Sequence, residues 1–131
     1  MWKILALLLV LPFPAWADNP DGTWLVSQRI AFEIFPCRND LCGKIVWLRN
    51  PELRTRANCG RTIVWGLTAR SPTEWDDGWF YDPENGKTYN VRAHADSPDR
   101  ITARIYDGIP FFGRTENLSR IAPHSLEGWC S

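Results

Sequence analysis

The chain has 131 residues, with 15 Lys and Arg against 15 Asp and Glu, so its formal net charge is zero. That balance excludes a protein that holds nucleic acid through bulk basic charge, and equally an acidic disordered tail. A hydrophobic share of 44% with 13% aromatics suffices for one packed core, and leaves eight Trp and four Cys to be explained.

The first predicted element is a leader. Lys3 precedes an apolar run from Ile4 that extends to Pro14, and Ala15-Trp16-Ala17 has the small-x-small form of a cleavage site. The run is shorter than the roughly 20 residues that a spanning helix needs. Residues 1–17 are expected to be a cleaved signal peptide and residues 18–131 a single domain, soluble and exported. Loss of Lys3 leaves 14 basic against 15 acidic groups, a net of −1. No other stretch is long and apolar enough to cross a membrane.

Cys37, Cys42, Cys59 and Cys130 all lie beyond the leader. An even count in an exported chain points to disulfides. Three pairings are possible, and Cys37–Cys42 with Cys59–Cys130 is the expected one. The first closes a tight connection between strand-like runs, and the second ties the penultimate residue to mid-chain. C-x-x-C knuckles are lacking, so neither a zinc site nor a redox-active pair is expected. No metal or cofactor is implied.

Period-2 patterns dominate the rest. Strands are predicted over residues 23–28, 30–35, 44–48 and 61–67, the last two joined by a polar loop with Pro51 and several arginines. A fifth runs over 75–82 and ends in the turn Asp82-Pro-Glu-Asn-Gly-Lys87, where Pro fixes φ and Asn-Gly supplies left-handed positions. Strands over 87–95, 100–107 and 110–121 follow, and the tail to Ser131 is irregular. About eight short strands with short connections favour antiparallel neighbours. Closure removes the exposed edges, so the expected fold is all-β, a small antiparallel eight-stranded up-and-down barrel, with a two-sheet sandwich as the alternative.

Gly22-Thr23-Trp24 opens the first strand and Arg114 lies in the last. This resembles the G-x-W and closing arginine of lipocalin-type barrels, where a guanidinium packs on the indole. Barrel closure is accordingly expected from Trp24 with Arg114. The alternative is that Trp24 is simply core and Arg114 simply solvated.

Longer stretches resemble a bacterial exported family, domain-of-unknown-function family 2147. They are Asp21-Gly-Thr-Trp-Leu25, Cys37, Leu41-Cys-Gly-Lys-Ile-Val-Trp-Leu48, Asn50-Pro51, Leu53-Arg54, Ile63-Val-Trp-Gly66, Tyr81-Asp-Pro-Glu-Asn-Gly-Lys-Thr-Tyr89 and Gly113-Arg-Thr115. The resemblance implies a Gram-negative, periplasmic protein with a small lipocalin-topology barrel, and it implies no activity. The chain departs from the family pattern in a short connection before Arg54, in Glu116-Asn117-Leu118, and in the added Cys59 and Cys130.

Enzyme signatures such as G-x-S-x-G, H-E-x-x-H and the P-loop are absent. His94 shares a face with Asn90 and Arg92 and reads as solvated, and His124 sits in the tail. Asp76 and Asp77, adjacent on a strand, are expected to point to opposite faces. No catalytic residue is assigned. Phe32, Trp47 and Trp65 either fill the barrel or line a pocket at one mouth, with Tyr89 and Arg104 as polar contacts. Three readings follow. The first is a barrel that binds a small apolar or amphipathic ligand. The second is a filled barrel that acts as an envelope interaction or scaffold protein. The third is a carboxylate-based hydrolase or isomerase. Partners are a small ligand or an envelope protein, with no nucleic acid.

Overall fold

The computed structural model describes residues 19–130, and the expected leader, residues 1–17, lies outside them. Eight strands follow one another: β1 (Gly22–Val26), β2 (Ile30–Cys37), β3 (Asp40–Leu48), β4 (Thr62–Ser71), β5 (Glu74–Asp82), β6 (Lys87–Ser97), β7 (Arg100–Tyr106) and β8 (Gly113–Ile121). Each pairs antiparallel with its sequence neighbour, and β1 pairs with β8, so the sheet closes into a barrel. The all-β, up-and-down barrel read from the alternation is the observed fold, and the sandwich is excluded.

The interior is built by the period-2 positions. Ile30, Phe32 and Ile34 of β2 meet Ile45, Val64, Phe80, Val91, Ile101, Ala103, Ile105 and Leu118 in one buried cluster. Small residues let the strands bend inward at register shifts. Gly78 lies at the shift in β5, and a Cβ there would come within 2.7 Å of the Leu67 side chain and 3.0 Å of Val91. That shift also alters the expectation for Asp76 and Asp77. They do not alternate, because Asp77 takes φ of 62° and both side chains stay outside the barrel.

A second, smaller cluster lies on the outer surface. Leu25, Ala31 and Trp47 are buried there beneath Ile121 at the end of β8 and Leu126 and Trp129 of the C-terminal tail. The tail is stitched down by the Trp47 indole N–H to the Glu127 carbonyl (2.7 Å) and by Cys130 N–H to the Val46 carbonyl (2.7 Å). Both expected disulfides are present: Cys37–Cys42 across the β2–β3 hairpin and Cys59–Cys130 between the β3–β4 loop and the tail.

Alternating strand direction sorts the connections into two ends. The β1–β2, β3–β4, β5–β6 and β7–β8 connections share one end, called the mouth below. At the opposite end Trp24 is sealed by Arg120, whose guanidinium stands 4.4 Å over the indole ring. Arg120 also donates to the carbonyls of Pro98 (2.9 Å), Asp21 (2.6 Å) and Asn19 (3.1 Å), while the indole N–H donates to the Pro20 carbonyl (2.8 Å). This corrects the expectation for Arg114. Closure belongs to Arg120 because Trp24 pairs with Arg120 in the β1–β8 ladder, and Arg114 lies at the other end of β8.

Candidate functional site

The barrel core is not completely filled. A cavity of about 60 Å³ runs between Ile30, Phe32, Leu67, Trp75, Ile105 and Leu118, and its accessible lining is wholly apolar. A single water needs on the order of 10–15 Å³ by the same measure, and an apolar cavity of about 150 Å³ takes up benzene. The space therefore suits only something smaller than benzene, such as a short alkyl chain. Glu116 is the one charged residue in its wall, and it is only 8% exposed.

Glu116 is held from two sides. Arg114 Nε donates to Glu116 Oε1 at 2.8 Å, and the Ser27 hydroxyl donates to Oε2. Ser27 reaches it from a turn of two left-handed residues, Ser27 and Gln28 (φ 50° and 58°), closed by Arg29 N–H to the Val26 carbonyl at 2.9 Å. Left-handed backbone costs a non-glycine residue on the order of 1 kcal/mol, so this turn is held by its surroundings. Arg114 also lies 3.8 Å from Asp82, a carboxylate 4% exposed, and its guanidinium stands 5.5 Å over the Tyr89 ring. Asp82 additionally accepts the Glu84 N–H at 2.8 Å, and the turn expected after β5 is present, with Gly86 but not Asn85 at positive φ. Two buried carboxylates thus share one half-exposed guanidinium at the mouth side of an apolar cavity. Unpaired, they would be costly to bury.

The residues predicted to contact a ligand do not gather in one place. Phe32 lines the cavity. Tyr89 packs near Phe80, and its hydroxyl accepts from Asn85 Nδ2 at 2.9 Å beside the mouth cluster. Trp47 faces outward under the tail, because a register shift between Ala31 and Phe32 pairs Trp47 with outward-facing Ala31. Trp65 also faces outward and is exposed, opposite Trp79. Arg104 lies outside, in an open groove of about 490 Å³ with Arg70, Glu74, Asp76, Arg92 and His94. Its Nε donates to the Pro110 carbonyl at 2.8 Å. His94 there contacts Asp96 at 2.8 Å and is half-exposed. Nearby, burial first and then the Asp76 and Asp77 carboxylates push the Tyr106 phenol above its usual range, with Arg92 opposing them.

Asp82, Ser27 and Glu116 were not predicted as site residues. In the sequence Asp82 stands out only as a turn carboxylate beside Glu84, and Glu116 only within Glu116-Asn117-Leu118, a departure from the family pattern. Among the described residues no cluster of His, Cys, Asp and Glu could hold a metal ion.

Residues 22–120 match the model of a family described as "Uncharacterized protein conserved in bacteria (DUF2147)". The chain belongs to this family. The barrel is also similar to a solved structure titled "Protein HP1028 from the human pathogen Helicobacter pylori belongs to the lipocalin family". The TM-score is 0.64 at 15% identity, covering 80% of this chain and 84% of that one. At that identity the likeness establishes a lipocalin-like fold and nothing finer. No curated protein matches this member of the family.

Proposed function

We propose that this DUF2147 barrel binds a slender, straight-chain amphipathic molecule, with its apolar chain in the cavity and its polar end at the Arg114 cluster. The carrying observation is the apolar cavity of about 60 Å³ whose wall contains a single charged residue, Glu116. A lipocalin-like fold is compatible with such binding, but the volume lies well below the roughly 300 Å³ of an ordinary ligand pocket and limits the occupant to a short chain. The cluster holds two carboxylates and one guanidinium, so its local charge is negative. A head group that donates hydrogen bonds, such as an alcohol or amine, suits it better than a carboxylate. The hydrolase reading has less support, because both Glu116 oxygens already accept hydrogen bonds. Two disulfides support a working place outside the cytoplasm, and with the leader pattern we place it in the periplasm.

The test is calorimetric titration of delipidated protein with a short straight-chain alcohol, its carboxylate analogue and a cyclic hydrocarbon. One-to-one binding of the alcohol is expected, with weaker binding of the other two. Ala103→Leu, which extends into the cavity, should weaken the alcohol at least tenfold. Absence of binding by all three ligands, or indifference to Ala103→Leu, would sink the proposal.

A further inference from the structure

The β7–β8 connection carries the most exposed apolar surface among the described residues. Ile109, Phe111 and Phe112 are 52%, 81% and 63% exposed. Isolated exposed apolar residues are ordinary, but three at one tip are a patch. The two phenyl rings stack edge to face, with centroids 5.2 Å apart.

This tip is firmly built. Phe112 N–H donates to the Ile109 carbonyl (3.0 Å), and Asp107 N–H donates to the Phe112 carbonyl (3.1 Å). Gly108 N–H is held by Asn90 Oδ1 (3.1 Å). Arg104 reaches across from β7 to the carbonyls of Pro110 (2.8 Å) and Phe111 (3.3 Å). With its backbone groups satisfied, the loop holds its apolar side chains out towards solvent.

Two further observations sit at the same end of the barrel. Trp65 and Trp79 are exposed and directly paired across β4 and β5, and the ladder continues through Asn90 to Tyr106, just before the tip. Charge is also sorted between the ends. Leaving aside the Asp82–Arg114–Glu116 cluster, the mouth end holds Arg29, Arg49, Arg54, Arg56, Arg61 and Lys87 against Glu52, Glu84 and Asp107. The opposite end holds Arg38, Arg70, Arg100 and Arg120 against Asp21, Asp40, Glu74, Asp96 and Asp99. The far end is thus nearly balanced, and the mouth is the basic end of a chain of zero formal net charge.

We propose that the mouth end docks on an anionic lipid bilayer. Ile109, Phe111 and Phe112 enter the boundary of the acyl region, Trp65 and Trp79 lie at head-group depth, and the loop arginines face lipid phosphates. An apolar tip, a Trp collar and a basic rim at one end are together what an interfacial membrane contact requires. A projecting tip suits a deformable bilayer better than a flat protein interface. Docking does not require the cavity to hold a ligand, so it stands or falls separately from the binding proposal.

The experiment is co-sedimentation of the purified protein, disulfides intact, with phosphatidylglycerol–phosphatidylethanolamine vesicles and with phosphatidylcholine vesicles. The protein should pellet with the anionic vesicles, with a blue-shifted Trp emission, and the partitioning should weaken several-fold as salt is raised. Phe111→Ser and Phe112→Ser, tested singly, should each reduce partitioning about tenfold, with circular dichroism and thermal midpoint unchanged. Arg49→Glu with Arg56→Glu should reduce partitioning to the anionic vesicles. No pelleting with anionic vesicles overturns the proposal. Unchanged partitioning of both phenylalanine variants also overturns it, as does equal, salt-insensitive binding to the two vesicle types.

Discussion

Trp24 and Arg120 illustrate what a single residue can and cannot reveal. The G-x-W pattern correctly placed Trp24 at the sealed end, yet the expected partner was Arg114. Both arginines lie on β8 six positions apart, an even separation, so alternation places both on the inner face. Only the pairing of Trp24 with Arg120 separates them, and pairing is a long-range property of the closed sheet. A double-mutant cycle of Trp24→Ala and Arg120→Ala should give a coupling of about 0.5–2 kcal/mol in denaturant unfolding. Trp24→Ala with Arg114→Ala should be additive, and coupling there would contradict the observed arrangement. Glu116 was missed for a related reason. In β8 the inner line, Arg114, Glu116, Leu118 and Arg120, has a single apolar residue among charged ones, and the outer line, Thr115, Asn117 and Ser119, is polar as well. Polarity alone cannot tell which line faces the core.

Strands as elements were legible because their alternation and turn residues are local properties. Their ends were less so. The last strand was read from Pro110, but β8 begins at Gly113. Pro110 has no N–H for a ladder, and Phe111 and Phe112 resemble strand residues in composition while pointing into solvent. The start at Gly113 has a steric cause, since a Cβ there would run into the Ile105 carbonyl oxygen and into Tyr106. Gly113→Ala should therefore cost about 1–3 kcal/mol of stability. The same substitution at Gly86 meets no neighbour and should cost less through contact, its penalty coming from φ of 76°. Equal chemical-denaturation midpoints for wild type and Gly113→Ala would refute the packing argument. Trp47 and Trp65 show the converse limit. A register shift turned Trp47 outward, and no local pattern reports such a shift, whereas Trp65 lies outside by plain alternation with inward Val64.

At the scale of the whole molecule, the two disulfides do unequal work. Cys37 and Cys42 are five residues apart within a hairpin, whereas Cys59 and Cys130 enclose a separation of 71 residues. Chain-entropy arguments give the longer closure about 4 kcal/mol and the shorter about 2 kcal/mol. Replacing Cys59 and Cys130 by Ser should thus destabilise more than replacing Cys37 and Cys42. It should also loosen the tail over Trp47, seen as faster exchange of the Cys130 and Val46 backbone pair. A larger loss from the short disulfide would point instead to the hairpin as the weak element. Architecture and disulfide pairing were readable because they follow from counts and spacing. The cavity was not, because its volume is the small residue left by the packing of many side chains.

The staple at Cys130 has a consequence for the order of events in biosynthesis. A chain emerging from its N-terminus can oxidise Cys37 with Cys42 as soon as one hairpin is out. Cys59 must wait until 71 more residues have followed, and β1 must wait for β8. The seam and the staple therefore both form late, and a chain that stops before Cys130 would carry a lone thiol at Cys59. Thiol reactivity at that position distinguishes a finished barrel from an unfinished one.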